Sequence, residues 1–497
     1  MNIKEMLEKT AREVPQKTAI VLGSQRVSYQ ELDEGANRVA NALISLGMKK
    51  GDHVAVLMSH CPEWLINYFG LVKAGGIVVI LNSMLKAPEL GSLLRHSDSK
   101  TLITEKSFSQ MLSSVLPTLP LLKHVLEVDG DPYQKMIACS FSTSPPVDIR
   151  DDDEVEIVYT SGVLGKRKGV VHTHASLSAV FPVVSSCWEQ ERKDVIIDPI
   201  PFFYHFGTAA VAPPSIMKGS TIVIIPRPTP RALLEAIDRE KGTIIVGVPA
   251  MFNALAMLDD ETLKSYDLSS LRVAFTGGAK SSPYLSQQVE NKLGVILCEG
   301  YGLTECTLVS IGTTRNRKFG TAGKPAWEIK IVDDNGKEVP RGETGEAVAK
   351  APWIMKEYYK APDLTAQVVK DGWFHTGDLV RMDEEGYIEY VEKKSFIIVT
   401  SAGVKIPPTE VEDVLLTHPS IAEVAYVGVM DELKGQIPTL FVVPKEGQTI
   451  SKKGIREFCR QNLANYKLPH KIEFVESIPK TGSGKIDRKR LKEGKIS

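Results

Sequence analysis

The chain is most informative in the stretch Tyr159-Thr160-Ser161-Gly162-Val163-Leu164-Gly165-Lys166-Arg167-Lys168-Gly169-Val170. It follows the apolar residues Val155, Ile157 and Val158, which favour a buried strand. Two hydroxyls, three glycines and three basic residues therefore lie in a loop beside a strand. Glycine lets backbone N–H groups approach an anion and lysine supplies positive charge, so the loop suits a polyphosphate. The spacing differs from that of a Walker A loop, and a polar turn with a basic face is the plainer alternative.

The second informative segment is Glu299-Gly300-Tyr301-Gly302-Leu303-Thr304-Glu305, which follows a strand-like run at residues 295–297. An aromatic ring between two glycines offers a flat surface to a base or an acyl chain. The Thr304 hydroxyl and the Glu305 carboxylate suit phosphate and Mg²⁺, which prefers hard oxygen ligands. Taken alone, the segment also fits a tight turn before a helix.

Two further segments each offer one charged side chain. The third is Phe374-His375-Thr376-Gly377-Asp378-Leu379, where a carboxylate after glycine at a strand end is a natural acceptor for ribose hydroxyls, unless it only forms a Gly-Asp turn. The fourth is Pro479-Lys480-Thr481-Gly482-Ser483-Gly484-Lys485-Ile486. Its small residues favour a mobile loop that can bring Lys485 to charge developing on a phosphoryl or carboxylate oxygen. A basic, frayed terminus is the alternative.

The composition restricts the class of protein without identifying its chemistry. The chain has 497 residues, 43% of them hydrophobic and 24% charged, as in a soluble α/β protein of about three domains. The 60 Lys and Arg residues nearly balance 61 Asp and Glu, which argues against a nucleic-acid binder held by overall charge. The six cysteines include no CxxC pair, so we expect unpaired thiols in a reducing compartment.

The hydropathy pattern and the N-terminus predict a cytoplasmic protein. The chain starts Met1-Asn2-Ile3-Lys4-Glu5, without the apolar segment of a signal peptide. No run of residues approaches the ~18 apolar residues of a membrane span.

Helical and strand patterns alternate along the chain. Ser28 and Glu31 form a capping box ahead of a helical run that Gly47 is placed to end. Strands are predicted at residues 54–58 and 77–80, with a helix between them, which predicts parallel pairing. From Tyr387 onward the elements are shorter and richer in Lys and Glu. We therefore expect a domain boundary near Glu392, giving domains of residues 1–391 and 392–497.

Together, the four segments in this order resemble the adenylate-forming superfamily of acyl-CoA synthetases, peptide-synthetase adenylation domains and luciferase. The resemblance covers nearly the whole chain and is closest to fatty-acid or aromatic-acid CoA ligases. It implies an α/β and α+β multidomain fold. The large N-terminal domain would hold two αβ-layered sheets and a distorted β-barrel, and a small C-terminal α+β domain would be a mobile lid.

The resemblance also implies a reaction in two steps. A carboxylate would attack the α-phosphate of ATP·Mg²⁺, giving an acyl-AMP and pyrophosphate. A thiol, usually that of coenzyme A, would then attack the acyl-AMP. The lid would rotate between the steps and keep water from the reactive anhydride.

Carried over to this chain, the resemblance gives each motif a role. The loop holding the ATP phosphates would comprise Thr160, Ser161, Gly162, Val163, Leu164, Gly165, Lys166 and Lys168. The adenine pocket would be lined by Gly277, Gly278, Ala279, Glu299, Gly300, Tyr301 and Gly302. Thr304 would touch the α-phosphate, Glu305 would hold Mg²⁺, and Asp378 would bind the ribose.

Three more roles follow from the resemblance. Lys485 would stabilise the pentavalent phosphate during adenylation, and Gly403 would line the pantetheine tunnel. Lys393 stands where the family usually has an Arg that contacts ribose and phosphate, so the charge is kept but the planar fork is lost.

The chain departs from the family pattern at several positions. Val163 and Leu164 replace two threonines, which removes two hydroxyls that could bond phosphate oxygens. Ser395 occupies the hinge position, usually Asp or Lys. Tyr204 stands where the acyl-pocket His is usual, and His205 follows it.

The predicted function is that of an ATP-dependent acid–CoA ligase with ATP, Mg²⁺ and coenzyme A. Tyr204, His205 and Phe252 are the candidate substrate pocket, and nearby phenylalanines favour an apolar acid, aliphatic or aromatic. Two alternatives stay open: a ligase that loads a separate carrier protein, and a degenerate nucleotide- or acyl-binding protein. The expected partners are small molecules, without nucleic acid, and a homodimer is an open option.

Overall fold

The computed structural model describes residues 1–160, 168–399, 405–431, 435–463, 465–481 and 484–494. The chain forms two compact units. The first comprises Met1–Ile329 and Ala349–Phe374, and the second Lys330–Val348 and His375–Ser497. The expected domain boundary between residues 391 and 392 stays a prediction.

The helices begin at capped or proline-bearing positions in many cases, as their sequences favour. The helices are α1 Ile3–Glu13, α2 Tyr29–Ser45, α3 Pro62–Lys73, α4 Ala87–His96, α5 Ser109–Leu112, α6 Asp131–Cys139, α7 His174–Cys187, α8 Ala212–Lys218, α9 Pro230–Glu240, α10 Pro249–Ala256, α11 Asp260–Lys264, α12 Pro283–Leu293, α13 Pro362–Val368, α14 Pro408–Leu416, α15 Lys452–Asn462 and α16 Arg488–Lys492.

The strands are short in most of the chain and longest in β13, β20, β24 and β25, as numbered here. They are β1 Thr18–Leu22, β2 Gln25–Ser28, β3 His53–Leu57, β4 Ile77–Ile80, β5 Thr101–Thr104, β6 His124–Glu127, β7 Glu154–Thr160, β8 Lys168–Thr173, β9 Val195–Asp198, β10 Thr221–Ile224, β11 Ile244–Gly247, β12 Val273–Gly277, β13 Ile296–Leu303, β14 Cys306–Ile311, β15 Lys324–Pro325, β16 Glu328–Val332, β17 Thr344–Lys350, β18 Glu357–Tyr358, β19 Val369–Lys370, β20 Trp373–Met382, β21 Ile388–Lys393, β22 Ile398–Val399, β23 Lys405–Ile406, β24 Ile421–Asp431, β25 Gly435–Pro444 and β26 Lys471–Phe474.

The local predictions near the N-terminus are confirmed. The Ser28 hydroxyl accepts from the backbone N–H of Glu31, and the Glu31 carboxylate accepts from the Ser28 N–H at 2.7 Å. Gly47 ends the helix region with a φ of +89°, which L side chains rarely adopt. Strands β3 and β4 pair in parallel, as the intervening helix α3 requires.

Two large sheets dominate the first unit. In the described part of the chain, one has nine strands in the order β15-β14-β13-β12-β11-β9-β10-β1-β2. The other has seven strands in the order β18-β8-β7-β4-β3-β5-β6. The larger sheet packs on α9, α10 and α12 through a core that includes Ile197, Leu234, Phe252 and Val289. Because most of these strands are parallel, their carboxyl ends meet at one sheet edge, where ligands bind in α/β proteins.

The second unit holds the small C-terminal fold. Its three-stranded sheet β24-β25-β26 packs on α14 and α15 around Val411, Leu440 and Ile455. Outside this small fold, a five-stranded sheet has the order β16-β17-β20-β19, with β21 beside β20, and corresponds to the predicted distorted barrel. The predicted fold class is confirmed.

Two motifs lie in strands that are longer than expected. β13 continues through the segment 299–303 and pairs antiparallel with β14, so a strand rather than a helix follows the Thr304–Glu305 turn. Asp378 lies in the middle of β20 instead of at a strand end. In both cases the neighbouring antiparallel strand, β14 or β21, supplies the pairing that the sequence pattern did not reveal.

The cysteines are free, as predicted. Among the described residues, every helix is too short or too polar to cross a bilayer.

Candidate functional site

The predicted phosphate loop connects the antiparallel strands β7 and β8. Thr160 and Lys168 lie opposite each other in this pair and mark its two ends. The other predicted loop residues lie outside the described part of the chain: Ser161, Gly162, Val163, Leu164, Gly165 and Lys166. The hairpin therefore fixes where the loop begins and ends.

Lys168 is connected to Glu305 through a tyrosine that the sequence analysis missed. The Lys168 ammonium lies 4.5 Å from the centre of the Tyr358 ring, a cation–π contact. The Tyr358 hydroxyl donates to Glu305 Oε1 at 2.8 Å. Burial, and then the nearby Glu305 charge, raise the pKa of Tyr358 above its ordinary value, so it stays a donor. The structure thus joins the base of the phosphate loop to the candidate Mg²⁺ ligand.

Strand β18 makes this connection possible. Tyr358 pairs with Val170 on β8, next to the loop, and the Met355 N–H donates to the Glu305 carbonyl at 2.8 Å. The signal in the sequence is weak, because Tyr358 lies far from both partners along the chain and on a two-residue strand.

Glu305 fits a magnesium ion only if other ligands come from the substrate. Among the described residues, no group of three His, Cys, Asp or Glu side chains is arranged to hold a metal. Mg²⁺ is commonly held by one or two carboxylates together with substrate phosphates. The half-buried Glu305, beside the Thr304 hydroxyl, provides one such carboxylate.

The residues predicted to line the adenine pocket lie at the end of β12, in the loop after it and within β13. Gly277 pairs with Gly300 and Thr276 with Glu299 in the parallel register. The Ser281 N–H donates to Glu299 Oε1 at 3.1 Å, which holds the loop after β12 against β13. Burial raises the pKa of Glu299 to about 8. Gly278 and Ala279 lie between Gly277 and Ser281 and are exposed, and Gly278 has a φ of +79°.

Gly302 is required by the close approach of β13 and β14. A Cβ atom at this position would lie 2.0 Å from the backbone oxygen of Thr307, which no side chain tolerates. Tyr301, on the same strand, is buried and pairs with Ser310. The Gly-Tyr-Gly pattern is therefore explained by the hairpin that presents Thr304 and Glu305.

Two buried histidines contact this β13–β14 hairpin. His172 Nε2 lies 2.8 Å from the Thr304 carbonyl oxygen, and His205 Nε2 lies 2.9 Å from Thr307 Oγ1. The two rings are stacked, with centres 4.7 Å apart. His205 was predicted as a pocket residue, whereas His172 was missed. His172 follows the apolar residues of β8, and the sequence gave no sign that its ring would contact another element.

The other pocket candidates lie in different surroundings. Tyr204 is half-buried, and burial raises the pKa of its hydroxyl. Phe252 is 1% exposed and packs in the core of the larger sheet, with its ring against Gly247. Their assignment to the acid pocket stays a prediction.

The second unit brings Asp378, Lys393 and Lys485 together. Asp378 and Lys393 are opposite each other on β20 and β21, and their side chains form an ion pair at 2.8 Å. Lys485 is an exposed residue, but partial desolvation of its ammonium group lowers its pKa. The charge of Lys393 lowers that pKa further and Asp378 opposes the shift. Gly403 lies outside the described residues.

Comparison with known proteins identifies relatives along the whole chain. The family described as AMP-binding enzyme matches residues 7–359, and AMP-binding enzyme C-terminal domain matches residues 410–485. A feruloyl-CoA synthase of Amycolatopsis sp is 33% identical over 483 residues, which is 96% of this chain and 95% of that protein. A long-chain-fatty-acid–CoA ligase of Bacillus subtilis (strain 168) is 32% identical over 531 residues, 99% of this chain and 94% of the relative.

A solved structure agrees over the same extent. An anthranilate CoA ligase in complex with anthranoyl-AMP superposes with a TM-score of 0.92 at 28% identity. The match covers 99% of this chain and 97% of that one.

Proposed function

This chain belongs to the AMP-binding enzyme family, and from that membership we propose the reaction that its site carries out. The chain is an AMP-forming acid–CoA ligase for a fatty or aromatic acid, the reaction class of its relatives. The observation that supports this assignment of the site is the connection Lys168–Tyr358–Glu305, because it links a cation at the end of the proposed phosphate-binding loop to the carboxylate proposed to hold Mg²⁺.

In the first step, a carboxylate oxygen of the acid bonds to the α-phosphorus of ATP, and the bond to pyrophosphate breaks. Lys168 and the loop N–H groups bind the departing phosphates, and the Thr304 hydroxyl faces the α-phosphate. Glu305 holds Mg²⁺, which when bound neutralises phosphate charge as a Lewis acid. Lys485 stabilises the negative charge that grows on the phosphoryl and carboxylate oxygens.

In the second step, the thiol of coenzyme A loses its proton to solvent and its sulfur bonds to the acyl carbon, while AMP leaves with the electron pair of the broken C–O bond. Asp378 binds the ribose hydroxyls, with Lys393 holding its carboxylate in place at 2.8 Å. Gly277, Gly278, Ala279 and Glu299 line the adenine. Gly403 lines the pantetheine path. We place the mobile lid at residues 392–497, and the start of the C-terminal family match at residue 410 supports this.

The acid is apolar in this proposal. Phe202 and Phe203 are buried beside the half-buried Tyr204. Feruloyl-CoA synthase and long-chain-fatty-acid–CoA ligase are relatives of comparable identity, so aromatic and aliphatic acids are both tested below. The free cysteines suit a reducing compartment, which supports a cytoplasmic enzyme.

The test measures pyrophosphate release with ATP, Mg²⁺ and acids of graded chain length and aromaticity, with coenzyme A present and absent. We expect release that depends on one class of apolar acid and acyl-CoA formation that depends on coenzyme A. Folded protein that releases no pyrophosphate with any acid would refute the proposal. A carrier-protein thiol that outcompetes coenzyme A would instead identify the carrier-loading alternative.

A further inference from the structure

One buried carboxyl group, that of Glu156, takes part in no step of the proposed reaction. Glu156 is on β7, among the buried apolar residues Val155, Ile157 and Val158, and is itself fully buried. An isolated carboxyl group in such surroundings is strongly unfavourable unless it is neutral or well paired. Burial accordingly raises the pKa of Glu156 above its ordinary value.

The two oxygens of Glu156 face two different side chains. Oε2 accepts from the Tyr68 hydroxyl on α3 at 3.2 Å. Oε1 lies 3.2 Å from Nδ1 of His205, close enough for an electrostatic interaction, although among the described residues neither of these two atoms has a hydrogen-bond partner. Glu156 is therefore the group that His205 faces on the side away from Thr307.

Because the carboxyl group lies 3.2 Å from Nδ1, its charge biases which nitrogen of His205 carries the proton. Burial lowers the pKa of His205, so the ring is neutral and has a single N–H. A carboxylate at Oε1 favours the proton on Nδ1, and Nε2 then accepts from the Thr307 hydroxyl. A protonated Oε1 donates to Nδ1, and Nε2–H then donates to Thr307 Oγ1. The Thr307 hydroxyl is thus a donor in the first case and an acceptor in the second.

The neighbouring ring is fixed in the same way. The Thr304 carbonyl can only accept, so His172 Nε2 carries the proton, and Nδ1 faces the Ser176 hydroxyl at 3.2 Å. His172 also lies opposite Glu156 in the β7–β8 register. Since the His172 and His205 rings are stacked, an ordered His205 holds its neighbour as well.

We propose that Glu156 is a positioning residue for adenylation, acting through His205 and His172 on Thr307 and Thr304, which lie two residues after and one residue before Glu305. The proposal rests on the proposed function. The alternative is that the same polar network only fills the core and does not orient the turn at Thr304 and Glu305.

The test removes the carboxyl group together with the Tyr68 hydroxyl that donates to it. His205 Nδ1 then loses its polar neighbour, but among the described residues it has no hydrogen-bond partner in the wild type either. In the double variant Glu156→Leu with Tyr68→Phe, both members of one hydrogen bond become apolar groups of similar shape, which is close to neutral for stability. We expect a wild-type melting temperature and an unchanged KM for ATP, but a kcat for pyrophosphate release that is roughly tenfold lower. Tyr68→Phe alone should keep the wild-type kcat.

Two controls separate positioning from stability. Glu156→Gln should recover most of the kcat, because an amide can pair with His205 Nδ1 as donor or acceptor. Asp194→Asn alters another buried carboxyl group, which pairs with Arg272 at 2.7 Å, and should lower the melting temperature without changing kcat. A double variant with wild-type kcat, or a Glu156→Gln variant as slow as the double variant, would overturn the proposal.

A second readout does not require the reaction. Nitrogen NMR of histidine-labelled protein, with His205→Ala to assign the signal, reports the tautomer of His205. We expect one tautomer in the wild type and a mixture in the double variant. Unchanged His205 signals would overturn the positioning role. If the double variant shows the tautomer change but the wild type releases no pyrophosphate, the proposed function alone is refuted.

Discussion

At the scale of single residues, the charge on Lys485 is the clearest test of the assigned chemistry. Lys485→Ala removes the ammonium group that we assign to the adenylation step. We expect pyrophosphate release to fall about 100-fold or more, the usual effect of losing one transition-state charge contact. Formation of acyl-CoA from supplied acyl-AMP should largely survive, because we assign Lys485 to the first step, in which the α-phosphorus becomes pentavalent.

Lys480 is the matched control for Lys485. It lies in the same segment, is exposed and pairs with Glu423 at 2.9 Å. Lys480→Ala should leave both half-reactions unchanged. Equal loss of both half-reactions in Lys485→Ala would contradict the role given to this side chain.

A second prediction at this scale concerns Tyr358. Tyr358→Phe removes the hydrogen bond to Glu305 but keeps the ring beneath Lys168. A hydrogen bond to a charged group contributes about 1.5–3 kcal/mol, so we expect roughly a tenfold or greater rise in the Mg²⁺ concentration needed for half-maximal rate. Tyr359→Phe, which loses a bond to Asp98 at 2.9 Å, is the control and should leave this requirement unchanged. The same Mg²⁺ dependence in both variants would show that Tyr358 does not orient Glu305.

At the scale of secondary structure, the β13–β14 hairpin is the element on which the site depends. Gly302→Ala would place Cβ 2.0 Å from the Thr307 oxygen, so the two strands must separate. We expect loss of acid-dependent pyrophosphate release and a lower melting temperature. Gly454→Ala, on α15, meets no atom closer than 3.5 Å and should be neutral or stabilise by about 0.5–1 kcal/mol. A Gly302→Ala enzyme with wild-type activity would rule out the tight hairpin.

Elements also show what the sequence could and could not predict. The α2 capping box and the β3–β4 pairing depend on neighbouring residues and on a strongly periodic pattern, and both are confirmed. Asp378 was expected at a strand end but lies within β20, because its partner strand β21 is separated from it by a turn without an obvious hydrophobic pattern. Tyr358 and Glu156 escaped prediction for another reason. Their roles arise from partners distant in sequence, although an acidic residue within an apolar strand was a visible signal for Glu156.

At the scale of the whole molecule, the nearly equal numbers of acidic and basic residues do not reveal the buried groups whose pKa values are shifted. Asp198 is fully buried, and burial raises its pKa to about 8. Its Oδ1 accepts from the Ile200 N–H at 2.9 Å, while His60 Nε2 lies 3.1 Å from its backbone oxygen. Burial lowers the pKa of His60 to about 4. Asp198 thus favours the protonated form in the folded chain, and His60 favours the neutral form.

The sign of the resulting pH dependence follows from these shifts. The folded pKa of Asp198 is above its unfolded value, so its contribution to stability is complete below the unfolded pKa and is lost as pH rises through about 8. Glu299, with a pKa raised to about 8, acts in the same direction. His60 opposes them only when pH falls below about 6.5, where an unfolded histidine takes up a proton. Between pH 6.5 and 8, stability should therefore fall with rising pH.

The variant Asp198→Asn tests this expectation, because the amide does not titrate. From pH 6.5 to 8, the wild type should lose on the order of 2 kcal/mol of unfolding free energy through this one group, at about 1.36 kcal/mol per pH unit. Thermal unfolding across that range should show a shallower decline for Asp198→Asn than for the wild type. Glu235→Gln, at an exposed position on α9, removes a carboxylate that water already solvates and should keep the wild-type slope. Identical slopes for Asp198→Asn and the wild type would mean that Asp198 is ionised in the folded chain despite its burial.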